Sequence, residues 1–143
     1  MYKSLNFLSR ALLAAIFLIS GFMKVANFQG SVGMAASAGL PLPTISIALA
    51  AFLEIAGGIA LVLGWQVRWA SLALFLFLIP TTLIFHVAPL RDPAQFQTQF
   101  GHVLANLAIM GGLLKFYVDA SADSMGRLTS PASVDEFRQR RAS

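Results

Sequence analysis

Residues 44–64, TISIALAAFLEIAGGIALVLG, decide the fold, because they form one apolar stretch with a single carboxylate, Glu54, at its middle. As a helix that rises about 1.5 Å per residue, this stretch can cross a hydrocarbon core about 30 Å thick. Glu54 would then lie near the midplane, where a charge is most costly and water is out of reach. The stretch predicts a membrane helix, and Glu54 predicts a polar partner inside the membrane.

The composition of the whole chain supports a membrane protein. Of its 143 residues, 57% are hydrophobic and 11% are charged, whereas an average soluble domain has roughly 25% charged residues. The chain has no cysteine, which excludes a disulfide, a CxxC redox pair, a thiolate zinc site and covalent c-type haem attachment. We expect membrane lipid as a partner, no nucleic acid and no bound metal.

Apolar blocks elsewhere in the chain indicate further membrane helices. The predicted spans are residues 5–23, 44–64, 69–88 and 100–118. We therefore expect an all-α, integral membrane, four-helix up-down bundle over residues 1–118. Small residues that precede Gly39 and Pro41 predict a short extracytoplasmic surface helix between helices 1 and 2. Residues 119–143 are predicted to form a polar cytoplasmic tail.

The distribution of basic residues predicts the orientation. With four spans, both termini and the loop at residues 65–68 share one side of the membrane, and that side holds eight of the ten Lys and Arg residues. The positive-inside rule then places the N- and C-termini in the cytoplasm. The sequence predicts a multi-pass protein of the bacterial inner (plasma) membrane.

Six polar residues within or beside the spans need an explanation: Arg10, Lys24, Glu54, His86, His102 and Asn106. All except Arg10 are predicted in the outer half of the membrane. The structural interpretation is that the long cations snorkel, the histidines are interfacial and the amide joins two helices. The functional interpretation is a ligand site made by Lys24, His86, His102 and Asn106.

Glu54 has two functional interpretations, a proton relay or the counter-ion of a cation. Lys24 is the preferred cation and Arg10 the less favoured one. By residue count, Glu54 lies about 15 Å below the outer end of its span, which is farther than a lysine at the end of helix 1 can reach. Direct contact therefore requires helix 1 to sit deeper, and otherwise the pair must be bridged.

Small residues predict where helices approach closely. Residues with this structural role are Gly21, Gly57, Gly58, Gly64, Gly111 and Gly112. Pro80 has no N–H group and leaves a carbonyl free one turn earlier, where the hydroxyls of Thr81 and Thr82 could compensate.

At these positions the sequence resembles the DoxX family of small bacterial membrane proteins. The pattern consists of RALLAAIFLISGFMK (10–24), the turn Gly39-Leu40-Pro41, LEIAGGIALVLGW (53–65), Arg68, Phe85-His86 and NLAIMGGLL (106–114). The resemblance implies a four-helix bundle in the inner membrane. It also implies a link with respiratory or sulfur redox chemistry, as a quinol-oxidase or thiosulfate:quinone oxidoreductase subunit. Arg10, Lys24, Glu54 and His86 match the family's polar pattern, and the match at His102 is weaker.

Four functions are consistent with these residues, and whether the protein is an enzyme stays open. The first is a redox-associated subunit with a quinone-type pocket in the outer half, where His86 or Lys24 donates to a quinone carbonyl and Glu54 relays a proton. The alternative is a non-catalytic anchor or scaffold for a soluble redox enzyme. A proton-coupled transporter would need a homo-oligomer. A b-type haem between His86 and His102 has the weakest support.

Overall fold

A computed structural model describes residues 2–128, and within them the secondary structure is entirely helical. The α-helices are α1 (Tyr2–Ala26), α2 (Phe28–Ser37), α3 (Pro43–Leu63), α4 (Val67–Thr82) and α5 (Pro93–Leu128). A π-helical turn (Leu83–Val87) and a 3-10 turn (Ala88–Arg91) connect α4 to α5. Four helices are long and apolar enough to cross a membrane: α1, α3, α4 with its extension, and α5. This confirms the predicted all-α membrane class.

The four long helices form an up-down bundle in which neighbours in the chain are neighbours in space. α1 packs on α3, α3 on α4 and α4 on α5, while α5 meets α1 only slightly. One end of the bundle, here called the α3–α4 end, contains the start of α1, the α3–α4 turn and the last turns of α5. The opposite end, called the α2 end, contains α2 and the α4–α5 connection.

The core lies where small side chains let the helices approach. It consists of Ala14, Phe17, Ala60, Leu61, Ala70, Leu74, Leu78 and Leu113. Large apolar side chains also cover the outside of every long helix, such as Leu12, Phe52, Leu76 and Leu107. A contiguous apolar exterior of this kind is unfavourable in water and suits lipid.

The helix between α1 and α3 was predicted, and the structure confirms its existence. α2 ends as expected before Gly39, whose φ of +77° is a left-handed conformation that glycine adopts without strain. The N–H groups of Gly39 and Leu40 donate to the carbonyls of Ala36 and Ala35. The position of α2 on an extracytoplasmic membrane surface stays a prediction.

The fourth long helix was predicted too short at both ends. α5 begins at Pro93 rather than residue 100, because Asp92 caps it: the Ala94 N–H donates to Oδ1 at 3.0 Å and the Gln95 amide donates to Oδ2 at 2.9 Å. These hydrogen bonds lower the pKa of Asp92, and the hydrogen bond from Gln95 has the larger effect. The signal was present as Asp-Pro-x-Gln, with proline at the first helical position.

At its other end α5 continues past residue 118 to Leu128, so the predicted tail begins as helix. Lys115 and Asp119 form an ion pair one turn apart on this part of α5. The rest of the predicted tail, residues 129–143, lies outside the described residues.

The third predicted span, residues 69–88, lies within one apolar helical stretch from Val67 to Arg91, which changes from α-helix to a π-helical turn after Thr82. The Thr81 hydroxyl donates to the Phe77 carbonyl at 3.0 Å and the Thr82 hydroxyl to the Leu78 carbonyl at 2.6 Å. Neither hydroxyl donates to the Leu76 carbonyl that Pro80 leaves free. The helix instead widens into the π-helical turn, a local irregularity that is frequent at functional sites.

Candidate functional site

Glu54 forms a direct ion pair with Lys24 between α3 and α1. The ammonium of Lys24 lies 2.8 Å from Oε2 and 3.0 Å from Oε1 of Glu54. The Ser20 hydroxyl donates to Oε1 at 3.1 Å and accepts from Lys24 at 2.7 Å. Glu54 is only 5% exposed, so the carboxylate is buried with its charge paired and its oxygens hydrogen-bonded. The preference for Lys24 over Arg10 as its cation is confirmed.

Lys24 and Glu54 are in direct contact because α3 extends farther toward the α2 end of the bundle than α1 does. A Cβ on Gly21 would lie 3.2 Å from the Cβ of Glu54, which puts these residues at one level. Gly21 is close to the end of α1, whereas Glu54 lies about three turns into α3, so α3 extends about 9 Å farther. Helical side chains also point toward the helix N-terminus, which directs Lys24 back over Ser20. The condition that helix 1 sit deeper is therefore met.

Ser20 was missed from the sequence, although its spacing was informative. It precedes Lys24 by one helical turn and is therefore on the same face of α1. A hydroxyl at that position can donate to the carboxylate and accept from the ammonium at once.

The predicted glycine contacts hold at five of the six positions. Gly21 and Gly58 bring α1 against α3, with Ile55 and Leu18 as their respective neighbours. Gly57 faces Leu74 of α4, and Gly112 faces Leu13 of α1.

Gly64 has a φ of +71° and ends α3, with the Arg10 guanidinium lying where a side chain would be. Gly111 is the exception, because nothing lies within 4 Å of the position of its Cβ. Consecutive helical residues point in directions about 100° apart, so only Gly112 of that pair can face α1.

A second polar cluster joins α4 and α5 at the α2 end. Nδ1 of His86 lies 2.8 Å from Oε1 of Gln99, and the rings of His86 and His102 are 5.0 Å apart between centroids. One turn deeper, the Asn106 amide donates to the Thr82 hydroxyl at 3.0 Å. His102 is exposed, His86 and Asn106 are half-buried, and Thr82 is buried. Gln99 was not singled out from the sequence, because it lay in the segment predicted as a loop.

The predicted ligand-site residues are thus divided between two helix interfaces. Within residues 2–128 no hydrogen bond links the Lys24–Glu54 pair to the cluster around His86. Lys24 directs its hydrogen bonds to Glu54 and Ser20, so the structure does not bring it to the histidines. Arg10 is at the α3–α4 end, where Nε donates to the Asn6 carbonyl at 3.3 Å.

The hydrogen bond to Gln99 determines what His86 can offer a ligand. The amide oxygen of Gln99 can only accept, so Nδ1 of His86 carries the proton. In the neutral ring Nε2 is then an acceptor. His86 can therefore accept a hydrogen bond from a hydroxyl, while His102 beside it stays open to the exterior.

Fold and polar sites together define a small four-helix membrane bundle with one buried intramembrane ion pair. Comparison with protein families matches residues 5–87 to DoxX, and the chain belongs to the DoxX family. The match ends at Val87, so the resemblance seen from Asn106 onward lies outside it. Inner membrane protein YphA of Escherichia coli (strain K12) is 32% identical over 79 residues, which are 55% of this chain and 56% of that protein. The match thus spans about half the length of this curated relative. No solved structure matches the chain.

Proposed function

We propose that this protein is a redox-associated subunit of the bacterial inner membrane that binds a quinone-type ligand at the α4–α5 interface. The observation that carries the proposal is the pair of imidazole rings of His86, on the π-helical turn, and His102, on α5, whose centroids are 5.0 Å apart and of which His102 is exposed. The relative YphA is named an inner membrane protein. Cytoplasmic termini are part of the proposal, on the basis of the positive-inside rule.

The chemistry of a quinol suits this pair of rings. A quinol is apolar except for its two hydroxyl groups, and it reaches a protein laterally from the bilayer. Nε2 of His86 would accept one hydroxyl hydrogen bond, and the bond to Gln99 fixes the ring for that contact. The imidazole of His86 would thereby hold the quinol by one of its hydroxyl groups.

In this proposal Glu54 and Lys24 fix α1 against α3 rather than relay a proton to the ligand. Their hydrogen bonds go to each other and to Ser20. Asn106 holds α5 to α4 through Thr82 and so orients the face that carries His102. Gln99 orients the ring of His86, while Lys24, which was predicted as a possible donor to a quinone carbonyl, stays with Glu54 and Ser20.

A photoreactive quinone analogue tests the proposal. Labelling of the purified protein, followed by peptide mapping, is expected to modify the segment from Leu83 to His102. The variants His86→Leu and His102→Leu are expected to lose the label, while Gln97→Leu, an exposed change on the same part of α5, retains it. Labelling that none of these changes affects would contradict the proposal.

A second function, an anchor for a soluble redox enzyme, is favoured by the ion pair itself. Lys24, Glu54 and Ser20 satisfy one another, and a buried pair of this kind can select one arrangement of a bundle without any catalysis. Affinity capture with the intact chain and with a chain ending at Leu128 tests it. Recovery of a soluble oxidoreductase by the intact chain alone would favour the anchor, and equal recovery by both chains would exclude docking through residues 129–143.

A further inference from the structure

The α3–α4 end contains a cavity of about 520 Å³ that is lined by several polar and charged side chains. Its walls come from the start of α1, the α3–α4 turn and the last turns of α5. Two arginines, Arg10 and Arg68, line it from different helices. Neither forms an ion pair with a carboxylate of the described residues.

Arg68 is held in place by aromatic rings rather than by anions. Its guanidinium carbon lies 5.0 Å from the Trp69 ring centroid and 5.7 Å from that of Tyr117. Its Nε is buried and has no hydrogen-bond partner in the described part of the chain. A buried donor without a partner costs free energy that a bound acceptor would recover.

Arg10 presents its terminal nitrogens to the same cavity. Among residues 2–128, the hydrogen bond of Arg10 is from Nε to the Asn6 carbonyl at 3.3 Å. The guanidinium lies against Gly64, which has no side chain to displace it. The end of α3 beside it attracts a cation, since helix C-termini carry partial negative charge. That attraction positions Arg10 and leaves Nη1 and Nη2 available to a ligand.

The start of α4 adds backbone donors to the cavity. Its N-cap residue, Gln66, makes no side-chain capping bond, and the first capping bond is that of the Ala70 N–H to the Gln66 carbonyl. The N–H groups of Val67, Arg68 and Trp69 therefore have no helical acceptor, and free N–H groups at a helix start bind anions. The carboxylate of Asp119 in the cavity wall is paired with Lys115, and Asp123, also in the wall, has an interaction of its own.

An apolar groove leads from this cavity along the bundle between α1 and α5. The groove has a volume of about 510 Å³, and Leu5, Leu13, Gly112 and Phe116 line it. It shares Asn6, Phe116 and Asp119 with the cavity. The exposed rings of Trp65 and Trp69 mark the adjoining turn, and such rings favour the headgroup layer of a bilayer. A lipid whose phosphate lies at the two arginines could therefore place an acyl chain in the adjoining apolar groove.

We infer that this end of the bundle is a binding site for an anionic phospholipid. The headgroup phosphate accepts hydrogen bonds from Arg10, Arg68 and the start of α4, and one acyl chain lies in the α1–α5 groove. Since α1 and α5 contact each other only slightly, the bound lipid fills the gap between them and so closes the bundle. A soluble phosphate compound shares the phosphate chemistry but has no use for the groove.

Native mass spectrometry of the full chain with added lipids tests the inference. Phosphatidylglycerol is expected to bind in preference to phosphatidylcholine. Arg10→Gln and Arg68→Gln are each expected to weaken phosphatidylglycerol binding about fivefold, the effect of one basic group near an anionic headgroup. Arg91→Gln, which removes an exposed charge at the α2 end, is the matched control and is expected to change nothing. An equal loss in the control would overturn the site.

A groove variant separates the lipid from a soluble anion and does not depend on the arginines. Gly112→Leu places a side chain beside Leu13, whose methyl carbon would already lie 3.4 Å from an added Cβ. This variant, verified as folded by its helical circular dichroism, is expected to lose phosphatidylglycerol while both arginines remain. Two results together would overturn the lipid assignment in favour of a soluble phosphate compound. These are displacement of phosphatidylglycerol by inorganic phosphate and normal binding of inorganic phosphate by Gly112→Leu.

Discussion

The α1–α3 and α4–α5 interfaces both contain polar groups inside the membrane part of the bundle, yet they handle them in opposite ways. At α1–α3 a full charge pair is closed around Glu54, which is 5% exposed. At α4–α5 neutral groups meet through single hydrogen bonds, and His102 stays exposed. A charge at mid-membrane must be compensated inside the protein, whereas a neutral imidazole can remain open. In the proposed function the first interface serves assembly and the second contacts the ligand.

The largest effect is expected from breaking the ion pair on the lysine side. Lys24→Met leaves the buried Glu54 carboxylate without its cation and is expected to destabilise the bundle by about 3 kcal/mol, since breaking a buried pair costs 3–5 kcal/mol. Glu54→Leu is expected to cost less, because the stem of Lys24 can turn toward the α2 end. Thermal unfolding in detergent measures both.

The matched control for these variants is the double change Lys24→Met with Glu54→Leu, which removes both charges and keeps apolar volume. We expect its unfolding temperature to lie closer to the wild type than that of Lys24→Met. Additive losses in the double variant would show that the two side chains are not coupled.

A smaller effect is expected from widening the same interface. A Cβ at Gly21 would lie 2.7 Å from Cγ1 of Ile55 and 3.2 Å from the Ala51 carbonyl oxygen. Gly21→Ala therefore forces α1 away from α3 and is expected to lower stability by about 1–3 kcal/mol. Gly111→Ala is the control, since open space surrounds that position and alanine favours the helix. Equal destabilisation by the two variants would contradict the close approach at Gly21.

At the α4–α5 interface the expected stability effects are smaller still. The hydrogen bond from Asn106 to Thr82 is neutral, and such bonds within membranes contribute about 0.6 kcal/mol on average. A double-mutant cycle of Asn106→Leu and Thr82→Val is expected to give a coupling energy of that size. A coupling as large as that of the ion pair would remove the distinction between the two interfaces.

The smallest effect concerns the cap at the start of α5. Hydrogen bonds from Gln95 and Ala94 lower the pKa of Asp92 below 3.8, so the cap stabilises the folded protein above that pH. This contribution disappears as the pH falls through the lowered value. The NMR shift of the Ala94 amide is expected to titrate with a midpoint below 3.8, and Asp92→Asn is expected to remove the titration. A midpoint above 3.8 in the wild type would show that the cap does not favour the carboxylate.

Hydropathy and charge predicted the four long helices and the partner of Glu54 for direct physical reasons. Apolar length is enough to identify a span, and a mid-membrane carboxylate needs a cation within reach. The rotation of α4 and α5 about their axes was not predictable in this way, because an apolar exterior leaves no single buried face in the pattern. The separation of His86 from Glu54 and the isolation of Gly111 follow from those rotations.

Local irregularities were missed for a different reason. The π-helical turn depends on how the chain accommodates Pro80 and on the packing of α5. A hydropathy pattern predicts neither of these. The start of α5 was readable from Asp92, Pro93 and Gln95 as capping chemistry, but hydropathy alone set the predicted boundary. Gln99, the partner of His86, was not predicted because it lies before the predicted start of the fourth span at residue 100.

The quinone content of purified variants tests the central claim most directly, because it asks which interface holds the ligand. Quinone extracted from protein purified in mild detergent is measured by mass spectrometry for the wild type, for Lys24→Met with Glu54→Leu, and for His86→Leu with His102→Leu. We expect the folded ion-pair variant to retain quinone as the wild type does and the histidine variant to lose it. Loss from the folded ion-pair variant, with normal quinone in the histidine variant, would contradict the account and place the ligand at Glu54.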